Sequence, residues 1–136
     1  MSGKTFKLEI VTPKKIIFSD EVLSFTAPGE VGSFQVLFNH APLLSSITIG
    51  EVVLRDAQGI ESRFATSGGF VEVRTNQVIM LAATAESSDQ IDVQRAERAR
   101  SRAEERLKMH PEKIDIDRAR IALARALNRL RIAQRG

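Results

Sequence analysis

The stretch QVIMLAATAESSDQIDVQRAERAR, residues 77–100, contains the point at which the chain changes its periodicity. Its first residues form a short apolar run bounded by turn-forming residues, a pattern that is typical of a β-strand. From Asp89 onward Ala, Arg, Glu and Leu dominate, and these residues favour helices. No glycine occurs between Gly69 and Gly136. The sequence therefore predicts a β domain over residues 1–87 and a helical domain over residues 88–136.

Short strands are predicted throughout the first domain. Phe6, Leu8 and Ile10 alternate with Lys7 and Glu9, which is the period-two pattern of a half-buried strand. Regular spacing of such segments between turn signals favours an antiparallel sandwich or barrel over a parallel α/β sheet. The further predicted strands are Lys15–Phe18, Val22–Ala27, Gly32–Phe38, Ser46–Leu54, Glu61–Thr66, Phe70–Arg74 and Gln77–Leu81.

Two helices are predicted in the second domain. Ser88 or Asp89 is a candidate N-cap for the first helix. His110-Pro111 should interrupt the helical pattern, because proline disfavours helical geometry at the residue before it. Asp115 is a candidate N-cap for the second helix. Helices joined by so short a connection form an antiparallel hairpin.

At 100° per residue, each helix separates apolar and basic side chains. On the second helix the predicted aliphatic stripe consists of Ile116, Leu123, Leu127 and Leu130. The opposite side carries Arg118, Ala122, Arg125 and Arg129. One face of the first helix carries Asp92, Arg95, Ala96, Ala99, Arg102 and Arg106. Because the apolar stripe is narrow, we expect the hairpin to owe its stability largely to docking. We identify no internal repeat in the chain.

The basic charge of the chain lies in its helical part. Up to Ser87 there are 7 Lys and Arg against 9 Asp and Glu, and from Ser88 onward 13 against 8. Such asymmetry indicates that the helices meet something acidic. Nucleic acid is the alternative partner, but the tail has no aromatic residue for stacking on bases. No apolar run reaches the roughly 20 residues of a membrane span, so we expect any membrane association to be indirect.

The sequence contains none of the motifs that we associate with catalysis. Walker A, G-x-G-x-x-G and G-x-S-x-G patterns are missing, and there is no cysteine. His40 and His110 are not spaced as metal ligands, and a hydrogen-bonded loop residue is the preferred interpretation of His40. Ser67-Gly68-Gly69 lies between predicted strands, which favours a hairpin turn over a phosphate loop. We therefore expect a protein that is not an enzyme and requires no cofactor.

Three segments, in this order, resemble the epsilon subunit of F-type ATP synthases. They are Leu8–Pro13, Gly29–Gly32 leading into Asn39–Leu44, and Ser67–Val73, and the similarity continues through the helical hairpin. Phe38 departs from the family pattern, which usually has proline at this position. The geometry of the loop before His40 is therefore left open.

The resemblance implies a β-sandwich of about ten strands followed by two mobile helices. The sandwich would dock on the gamma subunit and the ring of c subunits. Folded down, the helices would permit turnover; extended toward the alpha and beta subunits, they would restrain ATP hydrolysis. The protein would then be a non-catalytic central-stalk subunit, peripheral on the cytoplasmic face of the bacterial cell membrane.

The segment Ile91–Ala96 resembles the I/L-D-x-x-R-A motif that binds ATP in some bacterial epsilon subunits. Arginine meets phosphate oxygens with paired hydrogen bonds, so a regulatory ATP site is chemically reasonable. Solvated arginines and arginines that contact acidic partner subunits are the alternatives. The resemblance implies the ATP-binding residues Glu86, Ile91, Asp92, Arg95, Ala96, Arg102, Arg125 and Arg129.

Overall fold

The computed structural model describes residues 3–109 and 113–135, without the side chains of residues 113–115 and 135. The described chain divides into two compact units, one ending at Ser87 and one beginning at Ser88. The first unit contains β1 (Phe6–Val11), β2 (Ile16–Gly29), β3 (Gly32–Val36), β4 (Leu43–Ile47), β5 (Gly50–Asp56), β6 (Glu61–Thr66), β7 (Gly69–Arg74), β8 (Gln77–Ala82) and β9 (Ala85–Ser87). The second contains a 3-10 turn (Ser88–Gln90), α1 (Val93–Met109) and α2 (Lys113–Arg135).

The strands of the first unit form a sandwich in which β2 belongs to both layers. One layer has the order β1-β8-β7-β4, and the other continues through β2-β5-β6-β9 with β3 beside β2. The N-terminal part of β2 pairs with β1, whereas its C-terminal part pairs with β5 and β3. The pairing of β1 with β8 is parallel, and the other pairings are antiparallel. The predicted β-sandwich is confirmed.

The core of the sandwich follows the alternation predicted from the sequence. Phe6, Leu8 and Ile10 are buried on β1, while the residues between them are partly exposed. Strands β7 and β8 of the same layer supply Val71 and Met80, which have no exposed surface. Each such fully buried side chain stabilises the fold by about 1.5–3 kcal/mol relative to an exposed one. This core lies wholly within the first unit.

Nine strands are present in the described residues, where about ten were expected. Lys15–Phe18 and Val22–Ala27 are not separate strands, because the polar residues between them pair with β1 and continue β2. Ser46–Leu54 is divided by a turn into β4 and β5. The three-residue strand β9 was not predicted, since its sequence is too short for a periodic pattern. Glu61–Thr66 is confirmed as β6.

The loop around Phe38 is held by two side-chain contacts. The Nζ atom of Lys4 lies 5.2 Å from the centroid of the Phe38 ring. Asn39 and Asn76, both with positive φ, exchange hydrogen bonds: the Asn39 backbone N–H donates to Asn76 Oδ1 and Asn76 Nδ2 donates to Asn39 Oδ1. His40 Nδ1 lies 2.7 Å from the Ala41 carbonyl oxygen, in agreement with its interpretation as a hydrogen-bonded loop residue.

The N-cap of α1 is Asp92, and the prediction of Ser88 or Asp89 is wrong. Asp92 Oδ1 accepts a hydrogen bond from the Arg95 backbone N–H at 3.0 Å, and its carbonyl accepts the first helical bond from Ala96. Ser88 and Asp89 instead belong to the preceding 3-10 turn. The helix α2 begins two residues before Asp115, whose side chain lies outside the described residues, as does the predicted interruption at residues 110–111.

The helices pack against each other through alanines, and the predicted aliphatic stripe is only partly buried. Ala96 and Ala103 on α1 and Ala119 and Ala126 on α2 are at most 4% exposed. Leu130 of the predicted stripe is buried, at 8% exposed, whereas Leu127 is 46% exposed. Small side chains allow close approach of two helices, toward the short end of the usual 8–10 Å separation. The predicted helical hairpin is confirmed, but with an alanine seam.

Candidate functional site

The seam defines how the two helices face each other. Ala96 and Ala126 both lie 15 residues from position 111, midway between the helices, and Ala103 and Ala119 both lie 8 residues from it. Both pairs of buried alanines are therefore consistent with one antiparallel register. In this register each alanine of α1 lies opposite its partner on α2.

The arginines of the predicted site lie on one side of this seam. At 100° per residue, Arg95 and Arg102 are about 80–120° from the seam of α1. Arg125 and Arg129 are about 60–120° from the seam of α2, in the same rotational sense. Because the helices are antiparallel, residues that are displaced from the seam in the same rotational sense on both helices lie on the same side of the hairpin. All four arginine side chains therefore lie on one face. We call this surface the arginine face.

The register also places these arginines along the helix axis. Arg95 lies opposite position 127, between Arg125 and Arg129 and about 3 Å along the axis from each. Arg102 is about 7.5 Å further toward the hairpin connection than Arg125. Arg95, Arg102 and Arg125 are exposed and Arg129 is half-buried. The helical positions thus place three arginines near one level along the axis, with a fourth beyond them.

Three residues of the motif have structural roles in the second unit. Asp92 caps α1, Ala96 lies in the alanine seam, and Ile91 is 8% exposed. The cap alone contributes about 1 kcal/mol to the helix. Asp92 therefore determines where α1 begins, and Ile91 and Ala96 are buried in the unit. Arg95 is the exposed cationic residue of the motif.

Glu86 is the predicted site residue that lies in the first unit. It is half-buried on β9, where its Cα pairs with that of Ala65 on β6. The structure thus places seven of the eight predicted residues in the hairpin unit and Glu86 on the strand that leads to it.

The ion pairs of α1 lie away from the arginine face. Arg100 Nη2 lies 2.7 Å from Glu97 Oε2, and Arg100 Nε lies 4.0 Å from Glu104 Oε1. Both glutamates lie on the opposite side of the seam. No salt bridge within residues 3–109 and 113–135 involves Arg95, Arg102 or Arg125. These three arginines are therefore in no salt bridge with another described side chain.

Arg106 and Arg118 were not predicted to belong to the site. Both are exposed, and the helical step places both on the arginine face. Helical spacing could have identified both residues, because residues four or seven apart lie on the same side of a helix. Arg106 follows the predicted site residue Arg102 by four, and Arg118 precedes the predicted site residue Arg125 by seven.

The outer side of the β1-β8-β7-β4 layer carries an exposed apolar surface. Leu44, Phe70, Ile79 and Leu81 are 71%, 55%, 37% and 57% exposed. Phe70 lies directly opposite Leu81 on the neighbouring strand. Ile79 and Leu44 flank Glu72 on either side. We call these four residues the outer apolar face, and its cross-strand contiguity is typical of a protein interface.

Neither described helix is long and apolar enough to cross a membrane. Within the described ranges there is also no group of three or more His, Cys, Asp or Glu side chains that could hold a metal ion. The exposed surfaces that remain to be explained are the arginine face and the outer apolar face.

Two family matches divide the chain where the structure does. Residues 5–88 match the family described as ATP synthase, Delta/Epsilon chain, beta-sandwich domain. Residues 89–134 match ATP synthase, Delta/Epsilon chain, long alpha-helix domain. A sandwich joined to a helical hairpin, with both parts matched, defines the class of ATP synthase delta and epsilon chains.

Curated relatives narrow this class. The ATP synthase epsilon chain of Syntrophomonas wolfei is 43% identical over 135 residues, covering 99% of this chain and 98% of its own length. The ATP synthase epsilon chain of Desulforamulus reducens is 46% identical over 133 residues, covering 97% of this chain and 99% of its own length. The chain belongs to the family of bacterial ATP synthase epsilon chains, and it is a subunit of the ATP synthase complex.

Solved structures share the fold at much lower identity. A chain in the cryo-EM structure of Euglena gracilis mitochondrial ATP synthase, OSCP/F1/c-ring, has a TM-score of 0.79 at 21% identity, covering 91% of this chain and 78% of that one. A chain in the cryo-EM structure of the Tetrahymena thermophila mitochondrial ATP synthase, central stalk and c-ring, has a TM-score of 0.62 at 15% identity, covering 99% of this chain and 98% of that one. Sandwich and hairpin are thus retained where most residues differ.

Proposed function

We propose that this epsilon chain is a non-catalytic rotor subunit whose helical hairpin restrains ATP hydrolysis and is regulated by ATP. The observation that carries the proposal is the arginine face, where two helices present several guanidinium groups on one side of a thin alanine seam. Such a surface suits two anionic ligands, an acidic partner surface and the phosphates of a nucleotide.

The seam makes movement of the hairpin physically accessible. Its buried pairs are alanines, which remove little apolar surface from water compared with leucine or phenylalanine. Like charges on the arginine face also repel one another across the seam. A ligand that binds the closed hairpin in preference to the open form shifts the population toward the closed form.

ATP is proposed to bind the closed hairpin. Arg95, Arg125 and Arg129 are close in axial position only when α1 and α2 are packed together. In an extended tail the two helices separate and the guanidinium groups of α1 and α2 diverge. Binding of one triphosphate to arginines from both helices therefore favours the closed state, in which the hairpin is not available to the alpha and beta subunits.

Replacement of Arg95 by alanine tests this site. We expect the affinity for ATP to fall about 10-fold to 100-fold, since one charge-assisted interaction contributes about 1.5–3 kcal/mol. Arg125→Ala should have an effect of the same size. Isothermal titration calorimetry of the isolated chain with ATP measures both. Arg120→Ala is the matched control, because Arg120 is an exposed arginine on the other side of the α2 seam. Equal affinities for all three variants would refute the nucleotide site.

The sandwich is proposed to dock on the gamma subunit through the outer apolar face. Exposed aromatic and aliphatic side chains on neighbouring strands supply the desolvated centre that stable interfaces need. Glu72 lies within the face and forms an ion pair with Arg74 at its margin. The turn between β2 and β3, where Val31 is fully exposed, is the proposed contact with the c-ring. These contacts would place the subunit at the cytoplasmic face of the cell membrane without insertion.

Truncation of Phe70 to alanine should weaken binding to the gamma subunit about 10-fold or more, and Leu81→Ala should do likewise. Both side chains are more than half exposed in the free chain, so neither change removes core packing. Surface plasmon resonance against immobilised gamma subunit measures the effect. Ile60→Ala is the control, because Ile60 is 62% exposed but lies outside this face. If Ile60→Ala weakens binding as much as Phe70→Ala, the assignment of the surface is wrong.

A further inference from the structure

Five connections between strands lie at one end of the sandwich. The strand register shows this, because Cα partners form one row across β2, β1, β8, β7 and β4, namely Ile16, Val11, Leu81, Phe70 and Ser46. Beyond this row, and beyond the pair of Gly29 with Ile47, lie the connections 12–15, 30–31, 48–49, 67–68 and 83–84. We call this end of the sandwich the basal end and the row of partners the basal row.

The β1–β2 turn presents two lysines at the basal end. Lys14 and Lys15 are exposed, and neither takes part in a salt bridge in the part of the chain that the structure describes. The Thr12 backbone N–H donates to the Lys15 carbonyl oxygen at 2.9 Å, and the Lys15 N–H donates to Thr12 Oγ1 at 3.3 Å. The backbone that carries the lysines is thus fixed before a partner binds, which lowers the entropy cost of binding.

Exposed aliphatic side chains accompany the lysines. Ile16 follows Lys15 directly and is 60% exposed, and Val31 in the β2–β3 turn is fully exposed. The start of β2 and β4 are four strand spacings apart, which is roughly 19 Å. Ammonium groups beside an exposed aliphatic side chain suit the surface of a lipid layer, where the charge meets phosphate and the apolar group lies in the interface.

The positive charge of the basal end differs in sign from the sandwich as a whole. Up to Ser87 the chain has 7 Lys and Arg against 9 Asp and Glu. The other two lysines of this unit, Lys4 and Lys7, lie at the opposite end. Lys7 pairs with the first residue of β8, and the Nζ atom of Lys4 lies 5.2 Å from the centroid of the Phe38 ring. The lysines are therefore divided equally between the two ends.

The neighbouring carboxylates lie behind the lysines or away from them. Glu9 is two residues from Val11 along β1, about 7 Å from the basal row, and it accepts a hydrogen bond from the Ser19 hydroxyl at 3.3 Å. Glu30 is exposed in the β2–β3 turn, on the other side of the basal end. A negatively charged surface that approaches the β1–β2 turn therefore meets Lys14 and Lys15 first.

The helical unit is the other basic part of the chain, and its charge is repetitive. Residues 91–107 and 114–130 are identical at nine of 17 positions and share the pattern I-D-x-x-R-A-x-x-A-x-x-R-A-x-x-R-L. The expectation that the chain has no internal repeat is therefore wrong. Because arginines recur along both helices, the helices can attract any anionic surface. An experiment on membrane binding therefore has to leave the hairpin unchanged and vary the sandwich alone.

We propose that the β1–β2 turn binds the anionic headgroups of membrane lipids through Lys14 and Lys15, with Ile16 in the interfacial layer. The orientation rests on the proposed function, because contact of Val31 with the c-ring would turn the basal end toward the membrane. The width of the basal end lets Val31 contact the ring while the β1–β2 turn reaches the lipid beside it. This is a contact with the membrane surface and adds no membrane span.

Flotation of the full chain with lipid vesicles tests the proposal. Vesicles of phosphatidylcholine alone are compared with vesicles that contain an equal amount of phosphatidylglycerol, and the chain should prefer the anionic ones. The double variant Lys14→Ala, Lys15→Ala should lose affinity for the anionic vesicles about 25-fold, because each lysine near an anionic surface contributes a factor of about five.

The matched control is the double variant Lys4→Ala, Lys7→Ala, which removes the same charge from the opposite end. Lys7 is four residues from Val11 along β1, roughly 14 Å from the basal row. Because this distance exceeds the screening length of about 8–10 Å, we expect the affinity of the control to change by less than about twofold.

A second pair of variants tests the apolar part of the contact. Ile16→Ser should weaken binding to anionic vesicles about fivefold or more, since the interface no longer covers an aliphatic side chain. Ile60→Ser is its control, because Ile60 is 62% exposed and follows a turn at the opposite end, where Asp56 pairs with Val22. Circular dichroism verifies that each variant is folded.

The outcomes separate the lipid contact from the c-ring contact. Equal losses for the two lysine pairs, or no preference for anionic vesicles, would refute the lipid contact. It is also refuted if the Lys14, Lys15 variant binds vesicles normally but loses affinity for purified c-ring in detergent, since the lysines then bind protein. The vesicle assay contains no other subunit. If Val31→Ser leaves binding to the c-ring unchanged while the Lys14, Lys15 variant loses vesicle binding, the c-ring assignment fails and the lipid contact stands.

Discussion

Replacing Gly69 by alanine should destabilise the sandwich by about 3 kcal/mol or more and leave little folded protein at physiological temperature. A Cβ atom at this position would lie 1.9 Å from the Leu81 carbonyl oxygen and 2.9 Å from the Ala82 Cα. Both are backbone atoms of β8, the strand that pairs with β7 at this point. Neither can move away without breaking that pairing. The φ angle of +154° adds strain for any residue with a side chain.

Gly32→Ala separates the clash from the backbone strain. Gly32 also has a positive φ, +132°, but no atom lies within 4 Å of the position that a Cβ would occupy there. We expect this control to cost about 1–2 kcal/mol, from the strained backbone alone. Urea unfolding followed by circular dichroism gives both free energies of unfolding. Similar values for the two variants would show that the close approach of β7 and β8 does not constrain residue 69.

Ser67-Gly68-Gly69 is not the predicted hairpin turn, because β6 and β7 pair with other strands and not with each other. Ser67 and Gly68 connect strands of the two layers, and Gly69 is the first residue of β7. The Gly68 backbone N–H donates to Thr66 Oγ1, and the Ser67 hydroxyl is bonded to that of Thr84. Thr66 Oγ1 itself donates to the Thr84 carbonyl oxygen. These groups are committed to the β6–β7 connection. The two glycines are required because a Cβ at either would lie within 3 Å of a backbone carbonyl oxygen of a neighbouring strand.

The division into a sandwich and a helical hairpin could be predicted because each part has a clear period. Glu61–Thr66 is predicted correctly, since turn residues bound it on both sides. The long strand β2 could not be predicted, because Asp20 and Glu21 interrupt its apolar pattern while their backbones pair with β1. Backbone pairing at an exposed position leaves no trace in the hydrophobicity of the sequence.

The residues of the proposed site could be named from the motif, but their arrangement on the helices could not. Arg95, Arg102, Arg125 and Arg129 were assigned from the motif and do lie on one face. That alanines form the seam follows only from contacts between the helices, since leucines such as Leu127 have the stronger apolar signal.

Removal of residues 88–136 should raise ATP hydrolysis by the reconstituted complex about fivefold or more, if the hairpin restrains turnover with the 1–3 kcal/mol that is typical of coupling between sites. The truncated chain should still fold, because every residue of the sandwich core lies at or before Ala85. It keeps β9, whose Ala85 and Ser87 pair with β6. It also keeps the outer apolar face and therefore binding to the gamma subunit.

A steady-state assay compares the rate of ATP hydrolysis by complexes that contain the full-length chain with the rate for complexes that contain the truncated chain. Gamma binding by the truncated chain is the control, because loss of the subunit from the complex would also change the rate. A chain that ends at Met109 removes α2 alone and discards half of the arginine face. Since α1 then lacks its seam, we expect hydrolysis to rise as much as in the full truncation. Hydrolysis that stays at the full-length level in both, with the sandwich still bound to gamma, would show that the hairpin is not an inhibitor of this enzyme.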